Sequence, residues 1–180
     1  GYRYVLCDDV MYDRFGQPLM PSAHLFRFTR RYLRNAFLKT IELSRSFIRP
    51  EYQSSENGMK SLYSLDNLFD GLGGLIMLYK GRMEYFFGKM TIYPSFPEEG
   101  LQMLLYFLNK HFGIKENGLR GRIDSMVIPK KPIRMKFSKK FKDLFTEDDF
   151  RNDYKILKRE IQQMGVNIPP LVNTYMNLSP

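Results

Sequence analysis

The chain has 180 residues, 43% of them hydrophobic, with 15 Phe and 12 Tyr. That is enough for one domain with an ordinary core, and it excludes a disordered chain. The longest uncharged apolar run, GLGGLIMLY at 71–79, is too short for a helical bilayer span of about 20 residues. The single Cys7 excludes an internal disulfide, and with only His24 and His111 beside it the supply of metal ligands is poor. No metal site is expected, although carboxylate-only sites stay open. GYRYVLCDD at the start reads as a strand and not as a secretory leader, so the cytoplasm is the expected location.

The net charge of +9 is local. Residues 120–142 hold nine Lys/Arg against Asp124, while all other residues hold 19 bases and 18 acids. Such a run suits an acidic protein, an anionic membrane surface or nucleic acid. A solvated, solubilising loop is an equal reading.

In chain order, residues 1–10 alternate as a strand and 13–21 carry turn chemistry, with Gly16, Pro18 and Pro21. Residues 24–29 alternate weakly, and 30–38 form a short amphipathic helix. KTIELSRSFI (39–48) reads as a strand ended by Arg49-Pro50, because proline cannot donate to a ladder. From Met59 the apolar period changes to three and four, which predicts a helix of about five turns ending near Gly81. MEYFFGKMTIYP (83–94) predicts a buried strand, and Pro97-Glu98-Glu99 opens a helix closed by Gly113. The β-α-β-α order over 39–112 points to an α/β sheet. Residues 115–142 read as a long basic loop with a short strand near 125–129. A helix over 146–165 capped by Thr146 follows, then a proline turn and a short apolar helix. This predicts a core over 1–128, a basic loop over 129–145 and a helical extension over 146–180 packed on the same domain.

Three features carry chemistry. The polar stretch Gln53, Ser54, Ser55, Glu56, Asn57, Gly58, Met59, Lys60, Ser61 joins a strand to a helix N-terminus. Free amides and the positive end of the helix dipole suit a phosphate there, and a plain capped connection is the other reading. Glu42 and Arg45 stand three apart on a strand, so they face opposite sides unless a bulge intervenes. Glu42 is either a general base for an amine or one half of an ion pair. FGKMT (87–91) lacks the upstream glycine of a phosphate loop, and GLGG (71–74) lies inside a helix, where close packing explains it better.

ELSR (42–45), RPEYQ (49–53), the polar loop and helix, and YFFGKMTIYP (85–94) together resemble the N-acyltransferase branch of the GNAT superfamily. Within it they resemble the bacterial hemolysin-like proteins and the ornithine- and glycine-lipid N-acyltransferases. ELSR is also similar to the fourth strand of acyl-homoserine-lactone synthases, and GVNIPPLVNTYMNL (165–178) is similar to a closing segment of the hemolysin-like branch. The resemblance implies a GNAT-like mixed sheet flanked by helices, of α/β (α+β) class, with a C-terminal helical extension. It also implies that elements of the family are missing at both ends.

The resemblance further implies transfer of a long-chain acyl group from an acyl-carrier-protein or acyl-coenzyme A thioester to the amine of an amino acid, in lipid biosynthesis. No tightly bound cofactor is implied. Glu42 and Arg45 would belong to the catalytic site, with Tyr93 or Ser95 protonating the leaving thiol. The pantetheine arm would pair along 42–48 beside Phe47, and Gln53–Ser61 would hold the donor phosphate. From Gln53 the third-next residue is Glu56, and Gly58 stands alone, so the usual glycine pattern for free coenzyme A is not intact. An acidic carrier protein would meet Lys130, Lys131, Arg134 and Lys136, with an anionic membrane as a further contact and nucleic acid disfavoured. An acyl tunnel would draw on Phe47, Phe69, Phe86 and Phe87, each of which is equally at home in a core. The competing functions are an acetyl-coenzyme A-dependent GNAT acting on a small amine, and a non-enzymatic module that binds anionic partners through 120–142.

Overall fold

The computed structural model describes residues 1–52, 63–113, 127–131, 138–146 and 148–178. The described residues fall into two compact units, one from Gly1–Lys89 with Ser125–Lys131 and the other from Met90–Asp124 with Pro132–Pro180. The architecture is mixed α/β, with small sheets and helices, consistent with the GNAT-like class expected. No helix among the described residues is long and apolar enough to cross a membrane.

The first unit is built on β1 (Arg3–Leu6), β3 (Thr40–Ser44) and β4 (Tyr85–Gly88), in the order β1-β3-β4. β1 pairs with β3 antiparallel, and β3 pairs with β4 parallel from Thr40↔Tyr85 to Leu43↔Gly88. A parallel neighbour needs a crossover, and helix α2 (Ser64–Leu78) supplies it. The central strand TIELS is buried nearly throughout, as a strand covered on both faces must be. Ile41 and Leu43 pack with Leu6 and Leu75 on one face. Cys7, Met20, Phe28, Tyr32 and Phe37 form the core of the other. Gly71 lets α2 approach closely: a Cβ there would lie 2.7 Å from the Tyr2 hydroxyl. A second sheet pairs β2 (Phe26–Phe28) with β5 (Val127–Pro129), and α1 (Arg30–Asn35) is capped by Thr29, whose side chain accepts from the Tyr32 amide.

The second unit is helical: α3 (Glu98–Phe112), α4 (Lys139–Leu144), α5 (Phe150–Gln163) and α6 (Pro170–Leu178). Its core joins Met103, Leu104 and Phe107 to Phe141, Phe145, Leu157, Ile161, Val172 and Met176.

Four expectations need correction. The strand expected over 83–94 ends at Gly88, and residues 93–96 instead form a turn closed by Phe96 N–H to Tyr93 O. The basic stretch expected as a loop contains α4, which Ser138 caps and which drives Phe141 into the core. The helix expected from Thr146 starts at Phe150, because the Asp149 carboxylate takes the cap by accepting from the Arg151 amide. Phe86 and Phe87 point to opposite faces, as neighbours on a strand must, so one tunnel cannot be lined by both.

Candidate active site around Glu42

β3 puts Thr40 and Glu42 on the face opposite Ile41 and Leu43, beneath the aromatic core of the first unit. Glu42 is fully buried, with Val5 opposite on β1 and Phe87 opposite on β4. Neither of its carboxylate oxygens has a hydrogen-bond partner among the described residues. Lys89 Nζ stands 3.8 Å from Oε1, one residue past the end of β4. The Ser22 hydroxyl is near enough to favour the charged form, but its geometry is not that of a hydrogen bond, and Ser22 Oγ is itself buried without a partner.

Burial pushes the Glu42 carboxyl above the usual range, and Lys89 and Ser22 offset this only in part. The same dry surroundings push the Cys7 thiol up to about 12, with the Glu42 charge adding to the effect of burial. Burial likewise pushes the Tyr32 phenol to about 12. Tyr32 donates to Thr40 Oγ1 at 3.3 Å, and Thr40 donates to the Ala36 carbonyl at 2.8 Å, so these two groups are satisfied. Glu42 and Ser22 Oγ are the exceptions. A buried, unpartnered carboxyl with a raised pKa is costly to keep unless it has work to do. It is suited to holding or accepting one proton in a site that excludes water.

The backbone breaks its pattern just beyond Glu42. β1 and β3 stay in register up to Arg3↔Ser44, and then Gly1 and Phe47 exchange two backbone hydrogen bonds of 2.8 Å. Two steps along one strand answer to three along the other, so the β3 side carries one extra residue. That is a β-bulge, and Arg45 supplies its left-handed residue at φ 54°, the positive φ of a non-glycine among the described residues. The β3–β4 ladder ends at the same level, at Leu43↔Gly88. The bulge is the device the sequence required if Glu42 and Arg45 were to serve one site. Arg45 is exposed and Glu42 is buried, however, and no contact joins them.

The other expected residues fall as follows. Phe47 is exposed and held through its backbone by Gly1. Gln53, Ser54, Ser55, Glu56, Asn57, Gly58, Met59, Lys60 and Ser61 lie outside the described residues, as do Arg134 and Lys136. Tyr93 and Ser95 are exposed and belong to the second unit. Lys130 and Lys131 are exposed, and Lys130 Nζ donates to the Ala23 carbonyl at 2.6 Å. Lys89 and Ser22 were not singled out from sequence. Lys89 stood in view within FGKMT, but only the parallel register brings it beside Glu42.

The second unit holds its own buried carboxylate. Asp153 Oδ2 accepts from Lys110 Nζ at 2.6 Å and lies 2.8 Å from His111 Nε2, while Oδ1 is buried without a hydrogen-bond partner. Lys110 also donates to the Phe145 carbonyl at 2.8 Å. Among the described residues no group of three or more His, Cys, Asp or Glu gathers as a metal site would.

The chain is similar to two curated proteins, both called glycine N(alpha)-acyltransferase. One, from Phocaeicola vulgatus, is 49% identical over 100% of this chain and 53% of its own length. The other, from Bacteroides thetaiotaomicron, is 46% identical over 100% of this chain and 51% of its own length. The chain thus spans about half the length of the curated relatives it matches. No family model and no solved structure matches it.

Proposed function

We propose that this chain carries the acyl-transfer site of an N-acyltransferase that joins a long-chain fatty acyl group to the amine of an amino acid. The observation that carries the reading is Glu42, a buried carboxyl without hydrogen-bond partners beside a strand bulge and the end of a parallel ladder. Glycine is the first acceptor to test, because the two relatives are named for it.

In this reading the ammonium of the acceptor gives a proton to Glu42, whose raised pKa makes it a stronger base than an ordinary carboxylate. The freed amine attacks the thioester carbonyl. A C–N bond forms, the C–S bond breaks, and the second proton lost by the attacking nitrogen is taken up by the leaving thiolate, which departs as the thiol. Lys89 keeps Glu42 from losing its charge altogether. The donor is the thioester of an acyl carrier protein or of coenzyme A, used as a co-substrate. Its pantetheine arm lies along residues 44–48 by Phe47, past the Leu43↔Gly88 end of the parallel ladder, and its phosphate lies at Gln53–Ser61. Lys130, Lys131, Arg134 and Lys136 offer charge to an acidic carrier. The product places the enzyme in lipid biosynthesis, working from the cytoplasm.

The test uses the protein at its full natural length, with glycine and other amino acids, and palmitoyl-carrier protein or palmitoyl-coenzyme A as donor. Mass spectrometry reads the N-acyl products. N-palmitoylglycine from the carrier donor, lost in Glu42→Gln, is the expected result. Product from coenzyme A alone would overturn the carrier assignment, and unchanged turnover in Glu42→Gln would overturn the base. A folded protein giving no product from either donor would leave the chain a binding module for anionic partners.

A further inference from the structure

We propose that the 11–19 hairpin and the outer face of the β2–β5 sheet form a docking surface for an anionic lipid bilayer. The inference rests on the surface alone and stands whether or not the acyl-transfer reading does.

The hairpin is tightly built. Tyr12 bridges Pro18, and the Leu19 amide donates to Met11 O at 2.8 Å. At the tip the Asp13 carboxylate accepts from the amides of Phe15 and Gln17, both at 2.8 Å, and Gly16 takes φ 73°. A turn fixed this firmly still presents large apolar side chains to water: Met11 is 75% exposed, Phe15 74% and Leu19 58%. Arg14 covers the Phe15 ring, its guanidinium carbon 4.7 Å from the centroid.

The neighbouring sheet repeats the pattern. Phe28 turns inward to the core. Arg27 pairs with Ile128, and the Lys130 amide donates to Leu25 O. The pleat therefore turns the paired Arg27 and Ile128 to one outer face, and the bond from Lys130 to Leu25 extends the pairing past the strand ends. Leu25 is 53% exposed there and Ile128 39%. Hairpin and sheet share a cleft of about 560 Å³, lined by Asp13 and Leu19 from the hairpin and by Arg27 and Lys130 from the sheet.

Its charge is one-sided. Arg14, Arg27, Lys130 and Lys131 stand against Asp13, whose carboxylate is held by the turn. Apolar tips interleaved with cations suit the boundary between headgroups and acyl chains: the tips enter the apolar layer while the bases stay at the anionic headgroups. An acidic protein would match the charge, but Phe15 stands on a protruding turn, which a deformable lipid surface receives without needing a matching pocket.

The test is co-sedimentation of the chain with phosphatidylcholine vesicles, with and without phosphatidylglycerol. Binding is expected to require the anionic lipid. The pair Phe15→Ser and Leu19→Ser should weaken it by about tenfold or more, as should Arg14→Glu with Arg27→Glu. These side chains are exposed, so circular dichroism melts should match the parent. In Phe15→Trp, the indole emission should shift to the blue on anionic vesicles and be quenched by brominated acyl chains. Failure to bind, or binding that survives the loss of Phe15 and Leu19 and disappears when Arg134 and Lys136 are reversed, would overturn the proposal. An unshifted indole in a bound chain would do the same, and would point to an acidic protein as the partner instead.

Discussion

Glu42 and Asp153 are both fully buried carboxylates, and their surroundings are opposite. Asp153, in the helical unit, is paired at close range with Lys110 at 2.6 Å and lies 2.8 Å from His111 Nε2. Glu42, in the sheet unit, has Lys89 at 3.8 Å and no hydrogen bond. A buried charge is tolerable when it is paired and bonded. Asp153 meets that condition, and its cluster ties α3 to α5 and to Phe145. Glu42 meets it only in part, through Lys89, and this is the contrast on which its proposed role as a base rests. Buried charge by itself marks no site; the two carboxylates differ in that Asp153 has one oxygen bonded at close range and Glu42 has neither.

Substitution sharpens the contrast. Asp153→Ala should be the most damaging change, costing about 3–5 kcal/mol in urea unfolding, because it removes the buried carboxylate that Lys110 bonds at 2.6 Å and so breaks a largely buried ion pair from one side. A loss under about 1 kcal/mol would mean that water already screens the cluster. Glu42→Gln should do the reverse. Its fold should be as stable as the parent or roughly 1 kcal/mol more so, since a buried carboxyl with no hydrogen bond and only the partly exposed Lys89 for a counter-charge is removed. Turnover should fall by about 10²–10⁴ if Glu42 is the base. Loss of stability and activity together would mean that Glu42 is a structural group like Asp153.

The pH dependence of stability gives a subtler reading of the same pair. The Glu42 pKa is raised in the fold, so the folded state holds a proton that the unfolded chain has already released. Its contribution to stability is therefore full below the unfolded carboxyl pKa. It is lost as pH rises through the higher folded value and is constant above that. Glu42→Gln, neutral throughout, should gain stability relative to the parent across that window. Activity should run the other way, rising with pH through the folded value as the base loses its proton. A parent and variant whose unfolding midpoints stay parallel from acid to neutral pH would show that Glu42 titrates normally.

Much of this was legible in the sequence, in proportion to how local the signal was. KTIELSRSFI located the central strand and exposed the anomaly of a glutamate inside it, but the strand stops at Ser44 and not at the Arg49-Pro50 pair. The three-and-four spacing of leucines gave α2 and α3. The start of α5 was misread because Thr146, Asp148 and Asp149 are all cap types. The choice among them is made by packing, since Phe150 must reach Phe107 and Tyr154. Non-local pairs were invisible. Asp153 meets Lys110 and His111 across 43 and 42 residues, and Lys89 meets Glu42 only through the parallel register. The bulge stood between the two cases: the spacing of Glu42 and Arg45 made one necessary for a shared site, but the extra residue shows only once β1 is laid beside β3.

That bulge allows the smallest and most specific test. Arg45 holds φ 54°, where an L side chain crowds the backbone and glycine does not. Arg45→Gly should therefore keep the bulge and stabilise the fold by up to about 1 kcal/mol, after the greater freedom of glycine in the unfolded chain is set against the strain relieved. Arg45→Val should cost about 1–2 kcal/mol, because a β-branched residue resists positive φ. Measuring turnover on both variants separates backbone from side chain. Full activity in the glycine variant would mean that Arg45 serves only to bend the strand edge. Activity lost in a stabilised protein would mean that the guanidinium itself acts, with the acceptor carboxylate as its natural partner. If the glycine variant were less stable than the parent, the strain attributed to Arg45 would be absent, and the extra residue would have to be accommodated elsewhere along Ser44–Phe47.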